Sequence, residues 1–198
     1  MYGVSNQGGT AGTGTIFKIN TDGTGYAVLY SFEGTSGTDG QPSSPLTLVD
    51  GHFIGATDPI DTNFPGIIYS IELDGRGFGV PYRFNGPTAQ GREPGADLAI
   101  IGSTMHGIKG FGGTGNGVVY ALSLPTLKFV SLSHSSDGHF VLAGQGFPNS
   151  PVIIEAAPDL STGFSMIGTT VADVNGSFQY DDAGLSGMPS RFYRAVYP

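Results

Sequence analysis

"GTIFKINTDGTGYAVLYSFEG" occupies residues 14–34, and "GIIYSIELDGRGFGVPYRF" occupies residues 66–84. The second stretch restates the first 52 positions later. Gly14 meets Gly66, Ile16 meets Ile68, Phe17 meets Tyr69 and Ile19 meets Ile71. Asp22-Gly23 meets Asp74-Gly75, Gly25 meets Gly77, and Tyr30 and Phe32 meet Tyr82 and Phe84. The frame runs on without a gap through Gly34/Gly86, Pro42/Pro94, Leu46/Leu98 and Leu48/Ile100. Self-similarity at a fixed period of this length is the mark of a repeat architecture.

A third, partial copy follows. "HGIKGFGGTGNGVVYALSL" (106–124) matches "YGVSNQGGTAGTGTIFKIN" (2–20) after one deletion, with Gly112-Gly113 in the place of Gly8-Gly9. Where the first two copies go on to Asp-Gly, the third reads Leu124-Pro125, and proline cannot supply the same strand-to-turn hydrogen bonding. The middle copy departs too, with "ATDPIDTNFPG" (56–66) replacing the Gly-Gly loop.

Within one copy the strands are readable. "PLTLV" (45–49) and "HFIGA" (52–56) flank Asp50-Gly51, a hairpin turn signal. "GIIYSIEL" (66–73) and "GFGVPYRF" (77–84) flank Asp74-Gly75-Arg76. Four short antiparallel strands per ~50 residues is the size of a propeller blade. A β-solenoid is the competing architecture, but its period would be nearer ~20–30 residues. Helices are hard to place, because Gly or Pro interrupts almost every window long enough for one.

The order Tyr-Gly, Gly-Gly loop, Gly-x-Ile-Phe-x-Ile, Asp-Gly and aromatic-rich strand resembles the GloVer tandem repeat of bacterial extracellular proteins over residues 2–124. That resemblance implies a propeller-like fold in a secreted or surface-anchored protein. It supplies no established activity and no catalytic residues. Two or three blades cannot close a ring, since propellers use ~4–8. Further blades are therefore expected upstream, and the opening "MYGVSNQGGTAG" reads as the middle of a repeat rather than as a leader peptide.

From Thr126 the texture changes. Gly thins out, and "LKFVSLSH" (127–134), "GHFVLAGQ" (138–145), "PVIIEAA" (151–157), "FSMIGTTV" (164–171), "GSFQYDD" (176–182) and "RFYRAVY" (191–197) alternate regularly. Six or seven short strands with frequent turns predict a small antiparallel sandwich. "VIIEAAPDLSTGFSMIGTTVADVNGSFQYDD" and "RFYRAVYP" resemble the Ig- or fibronectin-III-like modules that end many bacterial secreted proteins, which serve as appendages or adapters. The expected fold is thus all-β: a partial propeller of two to three four-stranded blades over 1–125, then a sandwich over 126–198.

Composition narrows function. The 198 residues carry 34 Gly, 13 Phe and 9 Tyr, no Cys, and only 8 Lys plus Arg against 16 Asp plus Glu, for a net charge of −8. A nucleic-acid groove or an anionic membrane surface needs a basic patch that this chain lacks. No disulfide, thiolate metal site or Cys nucleophile exists, and no apolar run approaches the ~20 residues of a membrane helix.

Candidate chemistry is sparse. Asp22-Gly23-Thr24-Gly25, with Asn20, and Asp74-Gly75-Arg76-Gly77 hold too few oxygens for calcium and read as turns. "DVNGS" (173–177), followed by Gln179, Asp181 and Asp182, lacks the distal Glu of a calcium-binding helix-loop-helix and reads as a turn as well. His52, His106, His134 and His139 are far apart, although His134 and His139 flank the turn "SSDG" and could face each other across a hairpin. Glu33, Asp39, Glu72 and Glu93 are candidates for a glycosidase pair by type alone. Tyr2, Phe17, Tyr26, Tyr30, Phe32, Tyr69, Phe78, Tyr82 and Phe84 could stack on sugars, but their repetition suits packing between sheets. No catalytic, cofactor or metal residue is assigned. The expected function is a non-enzymatic scaffold for display, adhesion or binding of a cell-surface glycan or protein, with loops 5–14, 57–65 and 109–116 as the first places to look. The alternative is a fragment of a carbohydrate-active enzyme whose catalytic blades lie upstream.

Overall fold

The computed structural model describes residues 1–34, 40–58, 66–84, 98–109, 117–184 and 190–198. Those residues form an all-β chain of small antiparallel sheets with no helix. The chain divides into two compact units, Met1–Leu124 and Pro125–Pro198.

The first unit holds three sheets. Sheet one is β1 (Tyr2–Ser5), β2 (Thr15–Lys18) and β3 (Ala27–Ser31), in that spatial order. Sheet two contains β4 (Gln41–Pro42), β5 (Thr47–Val49), β6 (His52–Asp58), β7 (Ile67–Glu72) and β8 (Gly79–Arg83). Since β7 occupies one edge of β6, the short β4 and β5 share its other edge, so this sheet is a meander four strands deep. Sheet three is β9 (Ala99–Ile101), β10 (Thr104–Lys109) and β11 (Val118–Ser123), again an antiparallel meander. The turn between β5 and β6 has positive φ at both Asp50 (46°) and Gly51 (77°), as a tight hairpin of the I′ kind requires.

The duplicated residues occupy matching places. Gly3 pairs with Phe17, Gly55 with Tyr69 and Gly107 with Tyr120, and the glycines stand at an even interval of 52. At each pair the aromatic ring lies over the glycine, where a Cβ would collide with it. The second hairpin of sheets one and two carries the same bulge. Ile16 pairs with Tyr30 but Phe17 with Val28, which leaves Leu29 over; Ile68 pairs with Tyr82 but Ser70 with Gly79. Pro81, at the place of Leu29, has no N–H to donate and suits a bulge on an edge strand. Backbone closures recur as well: Phe32 N–H donates to Gly14 O (3.0 Å) and Phe84 N–H to Gly66 O (3.1 Å).

Packing between sheets recurs with the same side chains. Ile16 and Phe32 of sheet one join Phe53, Ile67, Tyr69 and Ile71 of sheet two in one buried cluster. The Phe32 ring meets the Tyr69 ring edge-on at 5.4 Å and 68°, and one repeat later Phe84 meets Tyr120 at 5.3 Å and 72°. Sheet two therefore has a neighbour on both faces, and all six residues of β7 are buried. The third copy ends as Leu124 N–H donates to Ser103 O (2.8 Å), after which Pro125 opens the second unit.

The second unit has six strands: β12 (Lys128–His134), β13 (Phe140–Gln145), β14 (Pro151–Ala157), β15 (Ser165–Val171), β16 (Ser177–Asp182) and β17 (Phe192–Val196). Each falls within one of the alternating stretches noted in the sequence. They form two three-stranded sheets, β12-β13-β16 and β15-β14-β17. Leu142 and Phe178 of the first sheet share a buried cluster with Val152 and Ile154 of the second. The Tyr180 hydroxyl donates to Ile167 O (2.8 Å) and the Thr170 hydroxyl to Gln179 O (2.9 Å), tying one sheet to the other. On the second sheet Arg194 donates through both Nε and Nη2 to Glu155 Oε2, directly across the strand pair.

Candidate functional site: an open cleft beside the first strand

A cleft of about 810 Å³ opens in the first unit between β1 with the residue after it and the segment Gln41–Leu46. Tyr2, Val4, Ser5 and Asn6 line it from one segment and Gln41, Ser43, Ser44 and Leu46 from the other, together with Asp58, the strand partner of Gln41. Local chemistry explains the walls. The Ser44 hydroxyl accepts from Ala56 N–H (2.6 Å) and Ser43 N–H donates to Ala56 O (3.0 Å), so the bend between β4 and β5 is clamped onto β6. The Ser5 hydroxyl donates to Gln7 O (2.8 Å) and turns the chain out of β1. The Tyr2 ring rests 4.7 Å from Phe53 at a 54° tilt, with 43% of the residue exposed. Among the described residues β1 has a strand partner on one edge only, so its other edge offers backbone donors and acceptors.

Such a lining can bind but is poorly equipped for acid–base chemistry. It combines hydroxyls, two amides, a half-exposed aromatic face and a backbone edge. Asp58 is the one carboxylate among the described lining residues, whereas glycoside hydrolysis needs two carboxyls across the scissile bond.

The sequence candidates fall mostly elsewhere. Of loop 5–14, Ser5, which ends β1, and Asn6 line the cleft; of loop 57–65, residues 57 and 58 are instead the end of β6, and Asp58 lines the cleft from there. Residues 59–65 and 110–116 of the other loops, with Asp39 and Glu93, lie outside the described residues. Glu33 is exposed after β3, and Glu72 is buried at the end of β7, opposite His52; neither lines the cleft. Burial raises the Glu72 pKa, helped by Asp74 and opposed by Arg76. Burial lowers the His52 pKa against the opposing contact of its Nδ1 with Asp50 O at 3.0 Å.

The turn candidates hold their carboxylates in local hydrogen bonds. Asp22 Oδ1 accepts from Thr24 N–H (2.9 Å) and its hydroxyl (2.7 Å); Asp74 Oδ1 accepts from Arg76 N–H (2.9 Å) while Oδ2 pairs with its guanidinium. These bonds lower both pKa values. Asp173 Oδ1 accepts from Asn175 N–H (2.8 Å) and Ser177 N–H (2.9 Å). Asp181 contacts His139 Nδ1 at 3.1 Å, and Asp182 accepts from the Tyr193 hydroxyl (2.8 Å) and pairs with Arg191 (3.1 Å). His134 and His139 do not face each other. His134 pairs with Phe140, its ring edge-on to that phenyl, because the turn is one residue tighter and closes with Ser135 N–H donating to His139 O. Among the described residues no three His, Asp or Glu side chains gather in a metal-holding group. No helix among them is long and apolar enough to cross a membrane.

The Gln41–Leu46 wall carried no sequence signal, because a proline-flanked serine pair has no chemistry of its own until Ala56 clamps it. Comparison with protein families, curated proteins and solved structures finds no match to this chain.

Proposed function

We propose that this chain is a non-enzymatic binding scaffold of a secreted or cell-surface protein. In this reading the three sheets of the first unit are blades of a propeller of GloVer type, and the second unit is an Ig- or fibronectin-III-like sandwich serving as an appendage. The Phe–Tyr contact made once per repeat supports the blade reading. The cluster shared by two three-stranded sheets supports the sandwich. The low count of basic residues argues against polyanions as partners.

The single observation that carries the binding role is the cleft, where β1 and the residue after it, β4 and the end of β6 bring together Tyr2, Asn6, Gln41 and Asp58. An aromatic face with amide and carboxylate groups around it is suited to a neutral glycan: the ring packs against the apolar side of a sugar and the polar groups take its hydroxyls. Glycan-array screening of the full chain, followed by calorimetry on the best binder, tests it. Tyr2→Ala and Asp58→Asn are each expected to weaken binding at least about tenfold, with Thr170→Ala on the second unit as the unaffected control. No glycan binding, or binding indifferent to both cleft substitutions, overturns this role; turnover of the bound glycan overturns the non-enzymatic reading.

A further inference from the structure

Among the described residues five turns carry Asp or Asn before Gly: Asp22-Gly23, Asp50-Gly51, Asp74-Gly75, Asp137-Gly138 and Asn175-Gly176. Four are built alike. The glycine has positive φ, and its N–H donates to the carbonyl three residues back: Gly23 to Asn20 O (3.1 Å), Gly75 to Glu72 O (3.0 Å), Gly138 to Ser135 O (3.1 Å) and Gly176 to Asp173 O (3.0 Å). The fifth differs. Val49 pairs with His52, so Asp50 and Gly51 make a two-residue loop with both residues at positive φ. The Gly51 N–H stands outside that ladder and donates to no backbone carbonyl among the described residues. Both residues are exposed, and a Cβ on Gly51 would meet nothing within 4 Å.

The difference matters because such a pair can react with itself. The glycine nitrogen is a nucleophile for Cγ of the side chain before it, and glycine hinders that approach least. Where the N–H is held by a carbonyl, the bond must break first; at Gly51 there is no such bond to break. A second feature favours the same place. Buried His52 (1% exposed) has Nδ1 3.0 Å from Asp50 O, and a carbonyl only accepts, so Nδ1 carries the hydrogen. Asp50 C=O and Gly51 N–H belong to one peptide unit. A donor on that oxygen draws charge from the nitrogen and stabilises the anion through which it attacks.

We propose that Asp50-Gly51 is a self-modification site that converts to isoaspartate through a succinimide. A bond forms between Gly51 N and Asp50 Cγ, the Cγ–OH bond breaks, and water leaves with the amide hydrogen. Water then opens the ring. At one carbonyl it restores aspartate; at the other it leaves the main chain running through Cγ. That product adds a methylene to a two-residue loop, which no longer holds Val49 opposite His52, and β5 loosens on the edge of β6. Gly102-Ser103 takes this place in the third copy, so the site belongs to the middle repeat. The reaction needs water and no partner.

Peptide mapping of the full chain after prolonged incubation, with fragmentation that separates isoaspartate from aspartate, tests this. Isoaspartate is expected at Asp50 at least about tenfold ahead of Asp22, Asp74 and Asp137. Asp50→Asn gives residue 50 the leaving group of native Asn175, ammonia. Residue 50 is then expected to deamidate at least about tenfold faster than Asn175, and the two rates to converge in denaturant, where the turns are gone. His52→Leu removes the donor and is expected to slow the reaction about threefold in a chain that circular dichroism shows folded. Isoaspartate spread evenly over the four Asp-Gly turns, deamidation at Asn175 as fast as at residue 50 of Asp50→Asn, or a difference that persists in denaturant overturns the site. A folded His52→Leu chain that reacts at the wild-type rate overturns the part given to His52.

Discussion

Strands β7 and β11 occupy the same place in the repeat, and their sequences, IIYSIE and VVYALS, differ little in pattern. Yet every residue of β7 is buried, while β11 alternates between half-buried and exposed. Local sequence set the strand and its register in both. What separates them is the number of neighbours: among the described residues sheet two has a sheet on each face, and sheet three has one on a single face. Burial here belongs to the place of the sheet among its neighbours rather than to the strand, because each sheet covers only the faces it touches.

Substitutions sharpen that contrast. Tyr69→Ala is expected to cost about 3–5 kcal/mol, the usual loss for a fully buried aromatic, and half-buried Tyr120→Ala roughly half as much. Calorimetry of the full chain reads this, provided the transition of the first unit is recognised by its indifference to Leu142→Ala in the second. Ile68→Ala should cost about 2–5 kcal/mol and Val119→Ala under about 0.5 kcal/mol. Equal losses at either pair would erase the difference between inner and outer sheets. Gly55→Ala drives a methyl into the buried Tyr69 ring and should cost about 1–3 kcal/mol. Gly3→Ala should cost less, because the Phe17 ring is only half-buried and can yield.

The smallest expected effects concern pH, and they have opposite signs within one turn. Hydrogen bonds from Arg76 hold the Asp74 pKa below its ordinary 3.8. That stabilisation is present above 3.8 and fades as pH falls through the lower folded value. Burial holds the Glu72 pKa above 4.5, so the folded state binds a proton there that the unfolded chain has released. Stability therefore falls as pH rises through that window. Thermal melting of Glu72→Gln should exceed wild type at pH 7 and match it at pH 3.5. Asp74→Asn should melt lower at pH 7 and converge on wild type near pH 2.

Much of this fold is legible in the sequence, for reasons that particular residues make plain. The six strands of the second unit follow from apolar–polar alternation, since each sheet has one covered face. The paired Asp-Gly turns are readable because Asp22 and Asp74 bond to backbone two residues on, a purely local event. Exposure of Val119 is not readable, because its aliphatic counterpart Ile68 is buried where another sheet stands against it. The cleft is equally hidden: Asn6 and Gln41 come together only through the stacking of sheet one beside sheet two. The histidine hairpin failed for a smaller reason, since a one-residue difference in where the turn closes sets His134 against Phe140.

The repeated stack is tested most directly by proton–proton NOE contacts between aromatic rings in the full chain. Cross-peaks are expected for Phe32 with Tyr69 and equally for Phe84 with Tyr120, with both tyrosine rings also showing contacts to the α-protons of Gly55 and Gly107. Cross-peaks in the first pair and none in the second would mean that the third copy does not dock as the second does, and would contradict the stack.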